Sequence, residues 1–181
     1  MSSSKLKFCA NLTTMYVKES SSMLDRYSMA KDFGFKAVEC AFPYDIDKNE
    51  LKKVKEKLGL EQILINTDPG TSLGFAALVG QEDNFMKSLE KAISYCQALD
   101  CKRLHIMSGK ALAKNEASED VLINNLTKVI SLRKKIHLDI LIFVFVIKFR
   151  ETAQQLPNLR FNLLFHTIRH CPNWNRLESW D

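Results

Sequence analysis

Short apolar runs, each closed by a polar residue and followed by a helical pattern, recur along the front of the chain. The runs cover residues 6–10, 37–38, 63–65 and position 104, and they close on Asn11, Glu39, Asn66 and His105. This pattern predicts strands over 6–11, 37–41, 62–66 and 103–107, with a fifth in all or part of 138–147. Between them the apolar period changes to that of a helix, over about 23–33, 47–58, 81–99 and 119–133. The start and stop signals agree. Ser20 to Ser22 offer caps for the first helix and Gly34 sits at its end. Asp47 opens the second, with Glu50 three residues on as a capping-box partner and Gly59 as the stop. Leu51, Val54 and Leu58 form its buried stripe, and Lys52, Lys53, Lys55 and Lys57 its wet face. The third helix gathers Phe85, Leu89, Ala92, Ile93 and Cys96 on one side, the fourth Leu122, Leu126, Val129 and Ile130.

Strand and helix alternating at this spacing mean right-handed βαβ units and a parallel sheet. A doubly wound sheet and a TIM barrel both satisfy the alternation. The strand faces favour the barrel. Cys9, Asn11, Ala37, Glu39, Ala41, Leu64, Asn66, His105 and Met107 are expected to face one way. Val38, Cys40, Ile63, Ile65, Leu104 and Ile106 are expected to face the helices. A polar upper layer on the inner face is what a barrel mouth requires. The expected fold class is therefore α/β: parallel β/α units forming an incomplete TIM barrel of about five strands, since five strands cannot close an eight-stranded barrel.

The organisation changes near Arg133. No glycine follows Gly109, and Pro172, Trp174 and Trp180 sit in a polar stretch without periodicity. The expected division is an N-terminal half-barrel over 1–132 and a divergent or shortened tail over 133–181. Charge follows the same division. The net charge is +5, of which residues 133–181 carry +4 and residues 1–132 only +1. A near-neutral front part gives nucleic-acid binding little support. Five cysteines without a framework spacing, Cys9, Cys40, Cys96, Cys101 and Cys171, read as buried free thiols in a reducing compartment, and the expected location is cytoplasmic. No apolar signal core follows Met1, and Ser2 breaks the myristoylation pattern. The apolar run 140–147 is far short of the roughly 20 residues a membrane helix needs.

Four segments carry a family resemblance: Phe8-Cys-Ala-Asn-Leu12, Gly34-Phe-Lys-Ala-Val-Glu-Cys-Ala-Phe-Pro-Tyr44, Leu64-Ile-Asn-Thr-Asp-Pro-Gly70 and Arg103-Leu-His-Ile-Met-Ser-Gly109. In order and spacing, residues 6 to about 131 resemble roughly half of a hydroxypyruvate isomerase, a family of the xylose-isomerase-like barrels. The resemblance implies interconversion of hydroxypyruvate and 2-hydroxy-3-oxopropanoate (tartronate semialdehyde) by enediolate proton transfer. Such chemistry needs a base, an acid and a positive partner for the enediolate oxygens. Related barrels supply two glutamates and a divalent metal on the later strands. Here Phe143 falls where the family's fifth-strand Glu belongs. The run Pro157-Asn-Leu-Arg-Phe-Asn-Leu-Leu-Phe-His166 echoes the sixth-strand motif without its metal-binding Asp. No resident cofactor or metal is therefore expected, and the catalytic residues are left unassigned.

The candidate substrate-binding residues are Asn11, Glu39, Asn66 and His105. Each also has a structural reading. Glu39 could sit in an ion pair, Asn11 and Asn66 could bind loop backbone, and His105 could be a satisfied core histidine. His166 and His170 have the spacing to share a helix face, but no carboxylate accompanies them. The long segment 67–80, with Gly70, Gly74 and Gly80, is either a lid or an ordinary loop. Three functions follow: an impaired isomerase acting on a small hydroxy-keto acid, a non-catalytic half-barrel, or, more weakly, a phosphate-ester hydrolase of the abasic-site endonuclease type. The expected partner is the small acid, with neither nucleic acid nor membrane.

Overall fold

The computed structural model describes residues 7–110, 116–136 and 139–143. The residues quoted above from the 157–166 run, together with His166, His170 and Cys171, lie outside the described residues.

The caps act as the sequence indicates. After strand β1 (Ala10–Asn11), the Ser22 hydroxyl accepts from the Asp25 N–H at 3.3 Å and opens helix α1 (Met23–Asp32). After β2 (Ala37–Glu39), the Asp47 carboxylate accepts from the Asn49 and Glu50 N–H groups at 2.9 and 3.3 Å and opens α2 (Lys48–Leu58). Gly59 closes α2 in the left-handed region. Then come β3 (Glu61–Asn66), α3 (Glu82–Leu99), β4 (Arg103–Met107), α4 (Glu116–Ile136) and β5 (Asp139–Phe143). Helix α4 starts three residues earlier and ends three later than its apolar pattern indicates, with Glu116 and Glu119 in the first turn where acidic groups suit the helix dipole.

The five strands are parallel and pair in the order β1-β2-β3-β4-β5. Successive helices also pack side by side, α1 on α2, α2 on α3 and α3 on α4. A doubly wound sheet would reverse its strand order and split its helices between two faces. Neither occurs, so these units run in the sense of a barrel wall. The core lies between strands and helices, where Val38, Ile65, Leu104 and Ile106 meet Leu51, Phe85, Leu89 and Leu122 at 1% exposure or less.

One inward–outward assignment is corrected. The alternation predicts that Ile63 faces the helices; instead Gln62 does so. The pairing register slips between Val38 and Glu39, which oppose Gln62 and Leu64, so β3 carries an extra residue. Ile63 is half-buried and lines a cleft at the start of the strands. Gln62 is 2% exposed, and its amide is fully engaged. Its oxygen accepts from the buried Tyr27 hydroxyl at 2.6 Å, and its nitrogen donates to the Leu64 carbonyl at 3.0 Å and toward Cys40 Sγ at 3.5 Å. A polar group inside the core is tolerable only with such partners. No described helix is long and apolar enough to cross a membrane.

Candidate functional site

The C-terminal edge of the sheet gathers the four candidate residues on adjacent strands. Asn11 pairs in register with Glu39, Glu39 with Leu64, and Asn66 with His105. Asn11 and Glu39 touch directly, the Asn11 Nδ2 donating to Glu39 Oε1 at 2.8 Å. The other end of the same amide is held, because Asn11 Oδ1 accepts from the Thr13 N–H at 3.0 Å in an Asx turn. The amide therefore cannot flip without losing both bonds, and its NH₂ group is aimed at the carboxylate. Among the described residues Glu39 makes no ion pair, so the ion-pair reading gives way to this hydrogen bond. Asn66 Nδ2 lies 3.9 Å from Met107 Sδ.

His105 shares the edge but keeps a different chemistry. Burial pulls its pKa down to about 4, so the imidazole is neutral at pH 7. A neutral imidazole exchanges hydrogen bonds or accepts a proton, but it supplies no positive charge to an enediolate. Two residues before Asn11, toward the start of the strands, burial and then the Glu39 carboxylate raise the pKa of the Cys9 thiol.

Several residues that build the edge have no strong sequence signal. The Thr13 hydroxyl accepts from the Ala41 N–H at 2.7 Å, and the Thr67 hydroxyl from the Met107 N–H at 3.0 Å. Each ties one strand's exit loop to the next strand. Arg26 is buried in α1, and its guanidinium donates to the carbonyls of Ser20, Leu12 and Ser21 at 2.9, 3.1 and 3.0 Å. It thereby clamps the loop that follows Asn11. The Tyr44 hydroxyl donates to the Asn66 carbonyl, while its ring meets Tyr95 edge-on at 5.1 Å and carries the Lys91 ammonium at 4.7 Å. Lys91 also pairs with Asp68 at 3.0 Å. The weak clue in the sequence is a Thr one or two residues after each strand-ending Asn.

The 67–80 segment is a fastened loop. Gly74 bridges Ser108 in antiparallel fashion, Ala77 donates to the Ser108 carbonyl at 2.8 Å, and Lys110 donates to the Ser72 carbonyl at 2.9 Å. A Cβ on Gly74 would lie 2.2 Å from the Met107 carbonyl oxygen, at a φ of +117°. Asn125 of α4 reaches in from behind and donates to the Ala76 carbonyl at 3.0 Å. The lid reading finds no support in this stitching.

Among the described residues no three His, Cys, Asp or Glu side chains gather where they could hold a metal ion. The donor set of related barrels is thus not met by the described residues.

A run of adjacent parallel β/α units with polar strand ends at one edge defines a wall of a TIM-type barrel. The family model described as xylose isomerase-like TIM barrel matches residues 28–144, and the chain belongs to that family. It is 42% identical over 131 residues to a putative hydroxypyruvate isomerase of Danio rerio, covering 67% of this chain and 47% of that protein. It is 40% identical over 106 residues to a 2-oxo-tetronate isomerase of Haemophilus influenzae, covering 56% of this chain and 40% of that protein. The chain thus spans about half the length of the curated relatives it matches. A crystal structure of an AP endonuclease, family 2, from Brucella melitensis superposes with a TM-score of 0.75 at 29% identity, over 86% of this chain and 65% of that one.

Proposed function

We propose that this chain presents the β1–β4 side of an isomerase pocket for a small hydroxy-keto acid, and that it turns such an acid over poorly. The observation that carries the reading is the Asn11–Glu39 contact at the C-terminal edge, a fixed donor and a carboxylate side by side. The names of the two isomerase relatives support the substrate class. Isomerising hydroxypyruvate means taking a proton from its hydroxymethyl carbon and returning one to the neighbouring carbon. In our reading Asn11 and Glu39 hold the substrate hydroxyl, with Asn66 and neutral His105 beside them. Phe143, the end of β5 paired with Met107, stands where the resemblance places a catalytic Glu. A missing general base typically costs ~10²–10⁴-fold in rate. The buried thiols suit a cytoplasmic setting.

Phe143, at the position where the resemblance places a catalytic Glu, favours a second reading, a wall that binds without catalysing. The endonuclease reading is disfavoured by the absence of a metal-ligand cluster among the described residues and by the near-neutral front part. Calorimetric titration with hydroxypyruvate and a coupled assay for tartronate semialdehyde, with and without divalent metal, separate these. Expected are weak binding that Glu39→Gln abolishes, and turnover well below the ~1–10³ s⁻¹ of ordinary enzymes. Turnover at that ordinary rate would overturn the impaired form, and no binding at all would overturn both readings.

A further inference from the structure

Helices α1, α2 and α3 end in the same way. In each, the residue after a left-handed turn donates its N–H to a carbonyl in the last turn of the helix: Phe35 to Ala30 at 3.0 Å, Leu60 to Lys55 at 3.0 Å and Cys101 to Cys96 at 2.9 Å. The left-handed residue itself donates one carbonyl further on, Gly34 to Lys31, Gly59 to Glu56 and Asp100 to Gln97. This is the Schellman close, which brings the two outer side chains of the turn together. At α1 they are an alanine and a phenylalanine, at α2 a lysine stem and a leucine. At α3 they are two cysteines, both free, at 1% and 2% exposure. Their thiols are in hydrogen-bond contact. The turn of α3 differs too: it has Asp100 at φ +50° where the others have glycine, a conformation that a side chain adopts only at a cost.

The isomerase reading uses neither thiol. We propose that Cys96 and Cys101 are a redox pair that closes to a disulfide when the chain meets a hydroperoxide, pinning the end of α3 to the start of β4. The thiols already touch, so closing the bond asks little of the backbone. The two sulfurs are not equivalent. The Cys96 S–H holds Cys101 below the ordinary thiol value against the effect of burial, helped by the backbone at Arg103 and Ile65. The same contact, and then burial, raises Cys96. Cys101 is therefore the nucleophile. It sits between Asp100 and Lys102, whose side chains are 75% and 66% exposed, so opening that single turn uncovers its sulfur. The Cys101 thiolate attacks one peroxide oxygen and the O–O bond breaks. The leaving hydroxide departs as water with the proton that Cys101 gave up, and Cys101 becomes a sulfenic acid. The Cys96 sulfur then attacks the Cys101 sulfur, the S–O bond breaks, and the second hydroxide leaves as water with the Cys96 proton. Two thiols are oxidised by two electrons and the peroxide is reduced to two waters. The bond ties α3, which holds Asp68 through Ser88 and Lys91, to the strand that carries His105, and so stiffens the frame behind the C-terminal edge.

The test uses the full chain carrying C171S, which leaves the four described cysteines as its only thiols. The reduced protein is treated with hydrogen peroxide under native conditions, the remaining thiols are alkylated in denaturant, and the peptides are mapped by mass spectrometry. Two of the four thiols should be lost to alkylation, with Cys96 joined to Cys101 in a link that dithiothreitol reverses, while Cys9 and Cys40 stay open. Adding C96S should halt the reaction at the first step, leaving a sulfenic acid on Cys101 that a cyclic 1,3-dione traps. Adding C101S instead should leave Cys96 reduced. If either variant fails to fold by circular dichroism, the peptide map of the C171S parent decides alone. Cys96 and Cys101 remaining free after peroxide, whatever happens to Cys9, overturns the proposal. So does a link from Cys101 to Cys40, or a link formed only between chains.

Discussion

At the C-terminal edge of the sheet, polar groups from different elements satisfy one another: Asn11 with Glu39, Thr13 with Ala41, Thr67 with Met107, Tyr44 with Asn66 and Arg26 with three carbonyls. At the N-terminal edge Lys36, Glu61 and Arg103 are exposed, Phe8 projects beside them, and Phe33 is exposed on one side while it stacks on Tyr16 at 5.5 Å. The same strands supply both ends. The difference lies in the connections. Loops leaving the C-terminal ends are tied to the next strand through Thr13 and Thr67, while those entering the N-terminal ends are short. A group held by several partners is pre-organised, which is what a binding edge needs. Among the described residues Lys36, Glu61 and Arg103 form no salt bridge, so their side chains are not fixed in this way.

The comparison breaks most readily at Gly74. A methyl there would collide with the Met107 carbonyl in a backbone conformation that side chains avoid. Gly74→Ala should cost roughly 3 kcal/mol or more, because strain and steric overlap add to the lost bridge. Urea unfolding measures this. A loss under about 1 kcal/mol would mean that the loop is not fastened to β4, and the contrast between the edges would weaken.

The second expectation sharpens the contrast through pH. The folded pKa of His105 is about 4, below the ordinary value of 6.5. Above pH 6.5 the ring is neutral folded or unfolded, and stability is unaffected. As pH falls below 6.5 the unfolded chain takes up a proton that the folded chain refuses, so stability drops until the pH passes 4. Between pH 7 and pH 5 this should remove about 2 kcal/mol from the parent and nothing from His105→Gln. Parallel stability curves for the two proteins over that range would mean that the ring is solvated, and that the edge is less enclosed than drawn.

How much of this is legible in the sequence differs between fold and site. Helix limits were readable where side chains themselves make the signal, as at Ser22, Asp47 and Gly59. The inward face of β3 is not legible at Ile63, because a period of two cannot anticipate an extra residue in the pairing. That four polar strand ends share one edge was legible from the alternation of strands and helices. The bond between Asn11 and Glu39 was not, since it depends on register. Arg26, Thr13, Thr67 and Tyr44 escaped because their partners are backbone groups that only the folded chain brings near. The two readings of the 67–80 loop look alike in sequence; they part only once Gly74 is seen against Ser108.

The smallest effects test the contrast most directly, because one change at each end can be compared. Asn11→Ala removes the bond to the Thr13 N–H and leaves the half-buried Glu39 carboxylate without its donor. That should cost about 1–2 kcal/mol, the usual penalty for stranding a partly buried acceptor together with a lost turn bond. Lys36→Ala removes an exposed side chain that makes no ion pair among the described residues. Surface changes of this kind stay within about 0.5 kcal/mol. Paired denaturation curves read the difference, and Asn11→Asp adds a control. The aspartate can still accept from the Thr13 N–H, but it sets two carboxylates against each other, so it should be no better than alanine. If Asn11→Asp matched the parent while Lys36→Ala cost as much as Asn11→Ala, the C-terminal edge would hold no fixed donor–carboxylate pair, and the binding reading built on it would go too.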